Sequence, residues 1–372
     1  MKWNWQQQKW PHFSYDVGRF SKYEDQFLHN AGMMHGSMKH VSSEDQEHLK
    51  ITLIREEAFK TSEIEGELLN RDSLQSSIQQ QFGLKADHRK IPPAEQGIAE
   101  MLADLYQHCL SPLTHTQLFG WHKMLTTGRR DLKQIGSYRS HADPMQIVSG
   151  PIHNPKIHYE APPSGQVKKE MDGFISWFNE TGGSSKIKTP LPALTRSGIA
   201  HLYFESIHPF EDGNGRVGRA LSEKALSQAL GQPTLIALAH TIEIHRKTYY
   251  EALHRASRTL EINDWLQFFC EMALAAQEHT QRTIDFLIEK GRFYKRFTNQ
   301  LNPRQQKTID RIFREGIDGF KGGLSAENYI QITGAPRATV TRDLQKLVEL
   351  GAFSKSGERK YTRYYLSKVD SI

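Results

Sequence analysis

Two cysteines in 372 residues, Cys109 and Cys270, leave no room for a disulfide framework and fall outside any metal-ligand spacing. No run approaches the ~20 apolar residues needed to cross a bilayer. The opening Met1-Lys2-Trp3-Asn4-Trp5-Gln6-Gln7-Gln8 carries no apolar signal core. Internal repeats and low-complexity tracts are also missing, which removes solenoids and fibres. A reducing cytoplasm, away from membranes, is the expected setting. What is present is 37% hydrophobic and 24% charged residues, the balance of a globular chain long enough for two or three domains. The formal net charge of +6 is unevenly placed: residues 301–372 hold 13 Lys or Arg against 8 Asp or Glu, a local +5. Nucleic acid is therefore a candidate partner for the C-terminal part alone, beside the plainer reading of a solvated basic surface.

Helical periodicity dominates, so the expected fold is mainly α. Leu49, Leu53, Ala58, Ile64, Leu68 and Leu69 fall near helical spacing within 44–81, as one or two helices with Ser42 or Ser43 as cap. Further helices are expected over 94–109, 114–126, 167–179, 195–207, 244–260 and 263–290, with 294–301 as a linker and Gly182-Gly183-Ser184-Ser185 as a loop. Residues 137–163 differ from their surroundings. Gln146-Ile147-Val148 and Lys156-Ile157-His158-Tyr159 alternate as two short strands, joined through Ser149-Gly150-Pro151 into a hairpin.

Between two apolar helices lies His208-Pro209-Phe210-Glu211-Asp212-Gly213-Asn214-Gly215-Arg216-Val217-Gly218-Arg219, a loop that no core needs. Gly213 and Gly215 allow positive φ and close backbone approach. The helix that follows aims its free N–H groups and positive end into that turn. Arg216 and Arg219, three apart, share a helical face and can fork onto one polyphosphate. Asp212 is placed to hold Mg2+. His208, ending the preceding helix, suits a general base. Each element alone is commonplace as a cap, a turn or a charged surface; the cluster points to a nucleotide-phosphate site.

The stretch resembles the signature of the Fic (Fic/Doc) family, His-x-Phe-x-Asp/Glu-Gly-Asn-Gly-Arg-x-x-Arg, matched here at every fixed position, and the likeness covers roughly 44–275. The resemblance implies a helical protein that moves AMP from ATP onto Tyr, Thr or Ser hydroxyls of a target protein. It implies His208 as base, Asp212 as Mg2+ ligand, Gly213, Asn214, Gly215 and Arg216 on the α and β phosphates, and Arg219 on the γ phosphate, with Val217 and Gly218 in the same ATP-binding segment. The hairpin 145–160 resembles the family's flap, which pairs with the target segment as an added strand. Ile157, His158, Tyr159 and Glu160 would border the nucleotide, and Tyr249 and Tyr250 match a pair placed near adenine, with core packing the alternative for one of them. Ser257 stands where several relatives have Asn. Thr61-Ser62-Glu63-Ile64-Glu65-Gly66 resembles the inhibitory motif Ser/Thr-x-x-x-Glu-Gly/Asn, so Glu65 would pair with Arg219 and misplace the γ phosphate, with Thr61 and Gly66 shaping the turn.

The domain expectation is 1–90 for a Trp-rich region and inhibitory helix, 91–290 for the catalytic domain, and 291–372 for a winged helix. Trp3, Trp5 and Trp10 either tuck against the helical core or mediate self-association as a homodimer. At the C-terminus, helices over 303–314, 325–332 and 336–350 precede a basic hairpin containing Arg359 and Arg363. Arg337, Thr339, Thr341, Arg342 and Gln345 lie on a face suited to phosphates and base edges. Winged helices also serve as protein-docking modules. Two further readings stay open: a DNA-binding regulator whose Fic core senses nucleotide, and removal of AMP or transfer of another nucleotidyl or phosphocholine group.

Overall fold

In the computed structural model, residues 2–87, 90–151, 155–182, 190–318, 320 and 322–367 are described. The loop expected at Gly183-Ser184-Ser185 lies outside them. Helical periodicity is realised, among the described residues, as α1 (Val17–Met38), α2 (Ser43–Ile64), α3 (Arg71–Gln81), α4 (Pro93–Gln107), α5 (His115–Leu125), α6 (Ser164–Glu180), α7 (Ala193–Ile207), α8 (Asn214–Leu230), α9 (Leu238–Ile244), α10 (Arg246–Ala256), α11 (Asn263–Phe297), α12 (Pro303–Arg314), α13 (Ala326–Thr333) and α14 (Arg337–Glu349). Two antiparallel hairpins complete the chain: β1 (Gln146–Ser149) with β2 (Lys156–Glu160), and β3 (Phe353–Ser356) with β4 (Arg363–Leu366).

Helix starts follow local capping chemistry. The side chains of Asn70, Thr114, Asn302 and Ser325 accept N–H groups from the first turns of α3, α5, α12 and α13. Ser42 Oγ accepts the N–H of Asp45 at 3.1 Å at the start of α2. Helix α7 has only Pro192 before it, and its cap comes from far away in sequence. The buried carboxylate of Glu24 on α1 accepts Leu194 N at 3.0 Å, Thr195 N at 2.8 Å and the Thr195 hydroxyl at 2.9 Å. His208 follows the other end of α7, so this cap anchors the helix that leads into it.

The chain divides into two compact units, Met1–His35 with Glu47–Thr280, and Gly36–Gln46 with Gln281–Ile372. The first unit packs α7 against α8 at its centre, with α4, α5 and α6 on one side and α9, α10 and most of α11 contributing a second cluster through Tyr249, Trp265 and Phe269. The tryptophan-rich start belongs to this unit and does not stand apart. Trp3 meets Tyr159 edge-on at 5.1 Å and lies under the Arg258 guanidinium at 3.8 Å. Trp5 Nε1 donates to Glu160 O at 2.7 Å, and Trp10 packs on Tyr203 at 5.1 Å.

Two expected boundaries move. The helix expected over 244–260 begins after a break at His245 (φ −106, ψ 24) and ends at Ala256. The linker expected over 294–301 is mostly helix, because α11 runs on to Phe297. Phe293 and Phe297, one turn apart, are 2% and 1% exposed in a cluster with Ile309 and Phe313. The second unit therefore takes the end of α11 into its own core, followed by α12, α13, α14 and the β3–β4 hairpin, with Leu324 bridging to Tyr364.

No helix of the described residues is long and apolar enough to cross a membrane. Glu24→Ala should remove the α7 cap, leave buried N–H groups unpaired and cost about 1–3 kcal/mol. For a unit of this size the thermal midpoint then falls by roughly 2–4 °C per kcal/mol; an unchanged midpoint would show that the cap contributes nothing.

Candidate active site

Helix α7 stops because Pro209 cannot continue it, and His208 closes it in the left-handed region (φ 49, ψ 60). That conformation is unfavourable for a residue with a side chain and is held by its surroundings. Arg139, 2% exposed, supplies the hold: its Nε donates to His208 O at 2.8 Å, and Nη2 donates to Pro162 O at 2.6 Å and Ile207 O at 3.3 Å. Its Nη1 donates to Ser164 Oγ at 3.0 Å, so one guanidinium joins the end of α7 to the segment leaving the β1–β2 hairpin.

The turn that follows is pinned from inside. Phe210 is fully buried and stacks on His122 with ring centroids 4.2 Å apart. Asn214 clasps the Phe210 backbone, accepting its N–H at 2.9 Å and donating to its carbonyl at 2.9 Å. Gly213 sits before α8 at φ 79, a conformation its lack of a Cβ permits. The first helical bond is Val217 N to Gly213 O at 3.1 Å. The N–H groups of Asn214, Gly215 and Arg216 precede it and face the turn as a helix N-terminus does.

Into that cradle comes the end of α2. Glu65 lies one residue past Ile64, and Gly66 (φ 84) turns the chain so that Glu67 N bonds back to Ser62 O at 3.0 Å. Glu65 Oε1 stands 2.7 Å from Arg219 Nη2, and Thr61 accepts Arg219 through Oγ1 at 2.7 Å and O at 2.9 Å. A Cβ added to Gly215 would lie 2.2 Å from Glu65 Oε1, so the carboxylate sits directly over the first turn of α8. Glu67 Oε2 takes Arg216 Nη1 at 2.6 Å, a second carboxylate on the second arginine. Arg219 is 1% exposed.

Around this point, among the described residues, four buried polar atoms make no hydrogen bond: His208 Nδ1, Arg216 Nε, Arg219 Nη1 and Glu205 Oε1. Such atoms are rare in folded proteins, and their convergence marks a polar ligand's place. Burial, with Arg139 nearby, lowers the His208 imidazole to about 4, so it is neutral near pH 7. Burial and Glu65 push the Glu205 carboxyl up to about 8. Asp212 is held below the usual carboxylate range; burial opposes this, while the Gly213 N–H, Arg216 and Arg129 favour the anion. Its Oδ1 accepts Gly213 N at 2.7 Å and its Oδ2 meets Arg129 Nη1 at 2.5 Å. An ionised, partly exposed carboxylate beside the cradle fits one oxygen ligand of Mg2+, with Arg129 as the cation it holds at rest.

Of the residues singled out in the sequence, His208, Asp212, Gly213, Gly215, Arg216, Arg219, Thr61, Glu65 and Gly66 come together. Others are turned elsewhere. Asn214 spends its side chain on Phe210, so only its N–H faces the cradle. Val217 is fully buried core, its N–H taken by Gly213, and Gly218 packs its Cα against Glu205 and His201. Tyr159 is 6% exposed and donates its hydroxyl to Ser206 O, so it anchors the hairpin instead of bordering a ligand through its ring. Ile157 is exposed, while His158 sits at the irregularity in the β1–β2 register with Nε2 2.6 Å from Ser149 Oγ, and Glu160 accepts Gln146 Nε2 at 2.7 Å. Tyr249 is core, bonded to His201 at 2.8 Å; Tyr250 is 43% exposed and donates to Ile64 O at 3.3 Å, next to the turn at Glu65 and Gly66. Ser257 Oγ donates to His254 O at 2.9 Å.

Sequence reasoning missed Glu67, Arg129, Arg139, His122 and Glu205. Only Glu205 left a signal, as a carboxylate inside the apolar run Ile199, Tyr203, Ile207.

Buried carboxyls give the first unit a distinct pH response. Glu57, Glu205 and Glu223 are raised from 4.5 to about 8, about 8 and about 7, mainly by burial. Their contribution is full below the unfolded value and is lost as pH rises through 7–8. His122, His201 and His208, lowered from 6.5 to about 4, 3 and 4 by burial, act in the opposite sense: their contribution is present above 6.5 and lost on acidification. The two sets oppose between 4.5 and 6.5; from 6.5 to about 8 the carboxyls dominate, and above that Lys224, lowered from 10.5 to about 8 by burial, acts against them. The thermal midpoint should therefore fall from pH 6.5 to 7.5, less steeply in Glu205→Gln; a midpoint rising over that range would contradict the assignment.

Residues 112–226 match the Fic/DOC family, and residues 3–84 match a domain of unknown function, DUF4172. The protein adenylyltransferase Fic of Aedes aegypti is 28% identical over 151 residues, covering 40% of this chain and 26% of that protein. The protein of the same name from Nematostella vectensis is 27% identical over 155 residues, covering 41% and 32%. The chain thus spans only about a quarter to a third of the length of these curated relatives. In fold it is similar to a Fic family protein from Desulfovibrio desulfuricans (TM-score 0.53, 19% identity, 97% of this chain and 99% of that one). It is also similar to a Fic domain containing signaling protein from Bacteroides thetaiotaomicron (TM-score 0.53, 16% identity, 72% and 96%). The segment that matches the Fic/DOC family, residues 112–226, is the one that builds the cradle between α7 and α8, and the solved structures share its fold.

Proposed function

We propose that this protein is a protein adenylyltransferase that moves AMP from ATP to a Tyr, Thr or Ser hydroxyl of a target protein and restrains itself through Glu65. The observation that carries the reading is a neutral, buried histidine beside a helix N-terminus and two buried arginines, with a carboxylate lying where an anionic ligand would go. The triphosphate lies across the N–H groups of Asn214, Gly215 and Arg216, with its negative charge met by Arg216 and Arg219. Mg2+, bound through Asp212, supplies charge neutralisation to the phosphate oxygens. His208 takes the proton of the target hydroxyl as its oxygen bonds to the α phosphorus. The bond from that phosphorus to the α–β bridging oxygen breaks, and pyrophosphate leaves with the electron pair. Positioning and electrostatics account for the acceleration, and no covalent enzyme intermediate is needed.

The β1–β2 hairpin, with exposed Ile147, Val148 and Ile157, offers a strand edge on which a target segment adds in register. The brake acts by competition. Glu65 holds Arg219 and Glu67 holds Arg216, so the resting site lacks the two guanidiniums that the β and γ phosphates need.

A second reading rests on α14. Arg337, Thr341, Arg342 and Gln345 are exposed on one helix, with Thr339 half-buried beside them, after two helices and before a hairpin, the order of a winged helix. Duplex DNA is its candidate partner. In the full-length chain, Arg337→Ala with Arg342→Ala should reduce the salt slope of DNA binding by about 2; an unchanged slope would remove DNA from this face.

With ATP labelled at the α phosphate, Glu65→Gly should label itself at least about 10-fold faster than wild type, and His208→Ala should not label. Equal labelling by wild type and Glu65→Gly would remove the brake. Retention of label from γ-labelled ATP would replace AMP transfer by another reaction.

A further inference from the structure

A second cluster of metal-binding groups lies in the first unit, away from the phosphate cradle. Glu56 on α2, His240 on α9 and His279 on α11 place three donor atoms within 4.8 Å of one another. Glu56 Oε1 is 2.8 Å from His240 Nδ1 and 3.3 Å from His279 Nε2, and Oε2 is 3.3 Å from the same His279 nitrogen. For an ion held tetrahedrally by ligands at ~2.0–2.1 Å, donors are separated by about 3.3 Å, so these distances already approach a coordination shell.

His240 Nδ1 is buried and makes no hydrogen bond of acceptable geometry, although the carboxylate oxygen is so near. An imidazole nitrogen held this close to a carboxylate oxygen, with no well-aligned hydrogen bond between them, is placed to share a cation with it. The three side chains are 25%, 20% and 10% exposed, which leaves an open direction for water as a fourth ligand.

The surroundings are built to hold the donors. The neighbouring Glu57 accepts the N–H of Ala239 at 2.8 Å, fastening α2 to the start of α9 beside the cluster. The imidazoles stack with centroids 4.0 Å apart and 21° between planes. Ligation requires a turn about χ2 that brings both lone pairs onto the side they share with Glu56.

We propose that Glu56, His240 and His279 form a site for a divalent ion of the zinc class, which staples α2 to α9 and α11. Two imidazoles and one carboxylate with an open position is a zinc donor set. Copper(I), being softer, would seek thiolate or thioether, and magnesium would seek more oxygens. Because α2 carries Thr61 and ends beside Glu65, an occupied staple also steadies the proposed brake. That consequence rests on the inhibitory reading, whereas the site does not.

The test uses the full-length chain stripped by chelator and titrated with ZnCl2, with Co2+ as a spectroscopic substitute. Wild type should take up one ion per chain at micromolar or tighter affinity and show the visible absorption of four-coordinate Co2+, and its thermal midpoint should rise. Glu56→Gln, which keeps the shape, and His240→Ala/His279→Ala should each bind at least about 100-fold more weakly and lose the spectrum. No stoichiometric uptake by wild type would overturn the site, as would uptake undiminished in both variants. Separately, removing the ion with a zinc-selective chelator in excess Mg2+ should speed α-label incorporation in wild type and leave Glu65→Gly unchanged. Wild-type labelling indifferent to metal would overturn the link to the brake while leaving the titration to decide the site.

Discussion

A guanidinium that is 1% exposed needs an anion, and among the described residues the carboxylate paired with Arg219 is that of Glu65. Removing the partner of a buried charge costs far more than a surface pair is worth. Arg219 is therefore the fixed element, and what pairs with it is the variable. Everything around it serves that arrangement. The Asn214 clasp and buried Phe210 hold the turn, Arg139 holds the end of α7, and Gly215 leaves the space in which Glu65 lies. The same space, lined by the first N–H groups of α8, suits a phosphate in chemistry and in size. On the proposed reading, regulation and catalysis are then two occupancies of one anion site.

The hairpin and the tryptophan-rich start add a second layer. Trp3 and Trp5 pack on Tyr159 and Glu160 at the base of β2, and Arg139 reaches from the carbonyls of α7 to Pro162 and Ser164. The base histidine and the hairpin that would present a hydroxyl to it thus share supports. This is why the N-terminal segment belongs to the first unit, and why its aromatic content is spent on packing.

Legibility in the sequence followed the range of the interaction. The cradle was readable because its parts are contiguous, and the contact to Arg219 because Thr61 and Glu65 lie one helical turn apart. Glu67, Arg129 and Arg139 were not, since each is an ordinary exposed-type residue until the fold brings it 70 to 150 positions away to Arg216, Asp212 and His208. For Asn214 the sequence did not distinguish a side chain that locks a turn from one that faces a ligand, and in the fold it clasps the Phe210 backbone. The end of α11 was misjudged because 294–301 was read as a linker, when the second unit's core takes in Phe293 and Phe297.

The central claim is that Glu65 and the phosphates of ATP compete for Arg219 and the start of α8. Thermal stabilisation by Mg-ATP, compared between wild type and Glu65→Gly at matched concentrations, tests it most directly. The account predicts that Glu65→Gly alone unfolds at a lower temperature than wild type, since Arg219 has lost its anion, and that ATP raises its midpoint by more than it raises that of wild type. A shift no larger in Glu65→Gly than in wild type would contradict it.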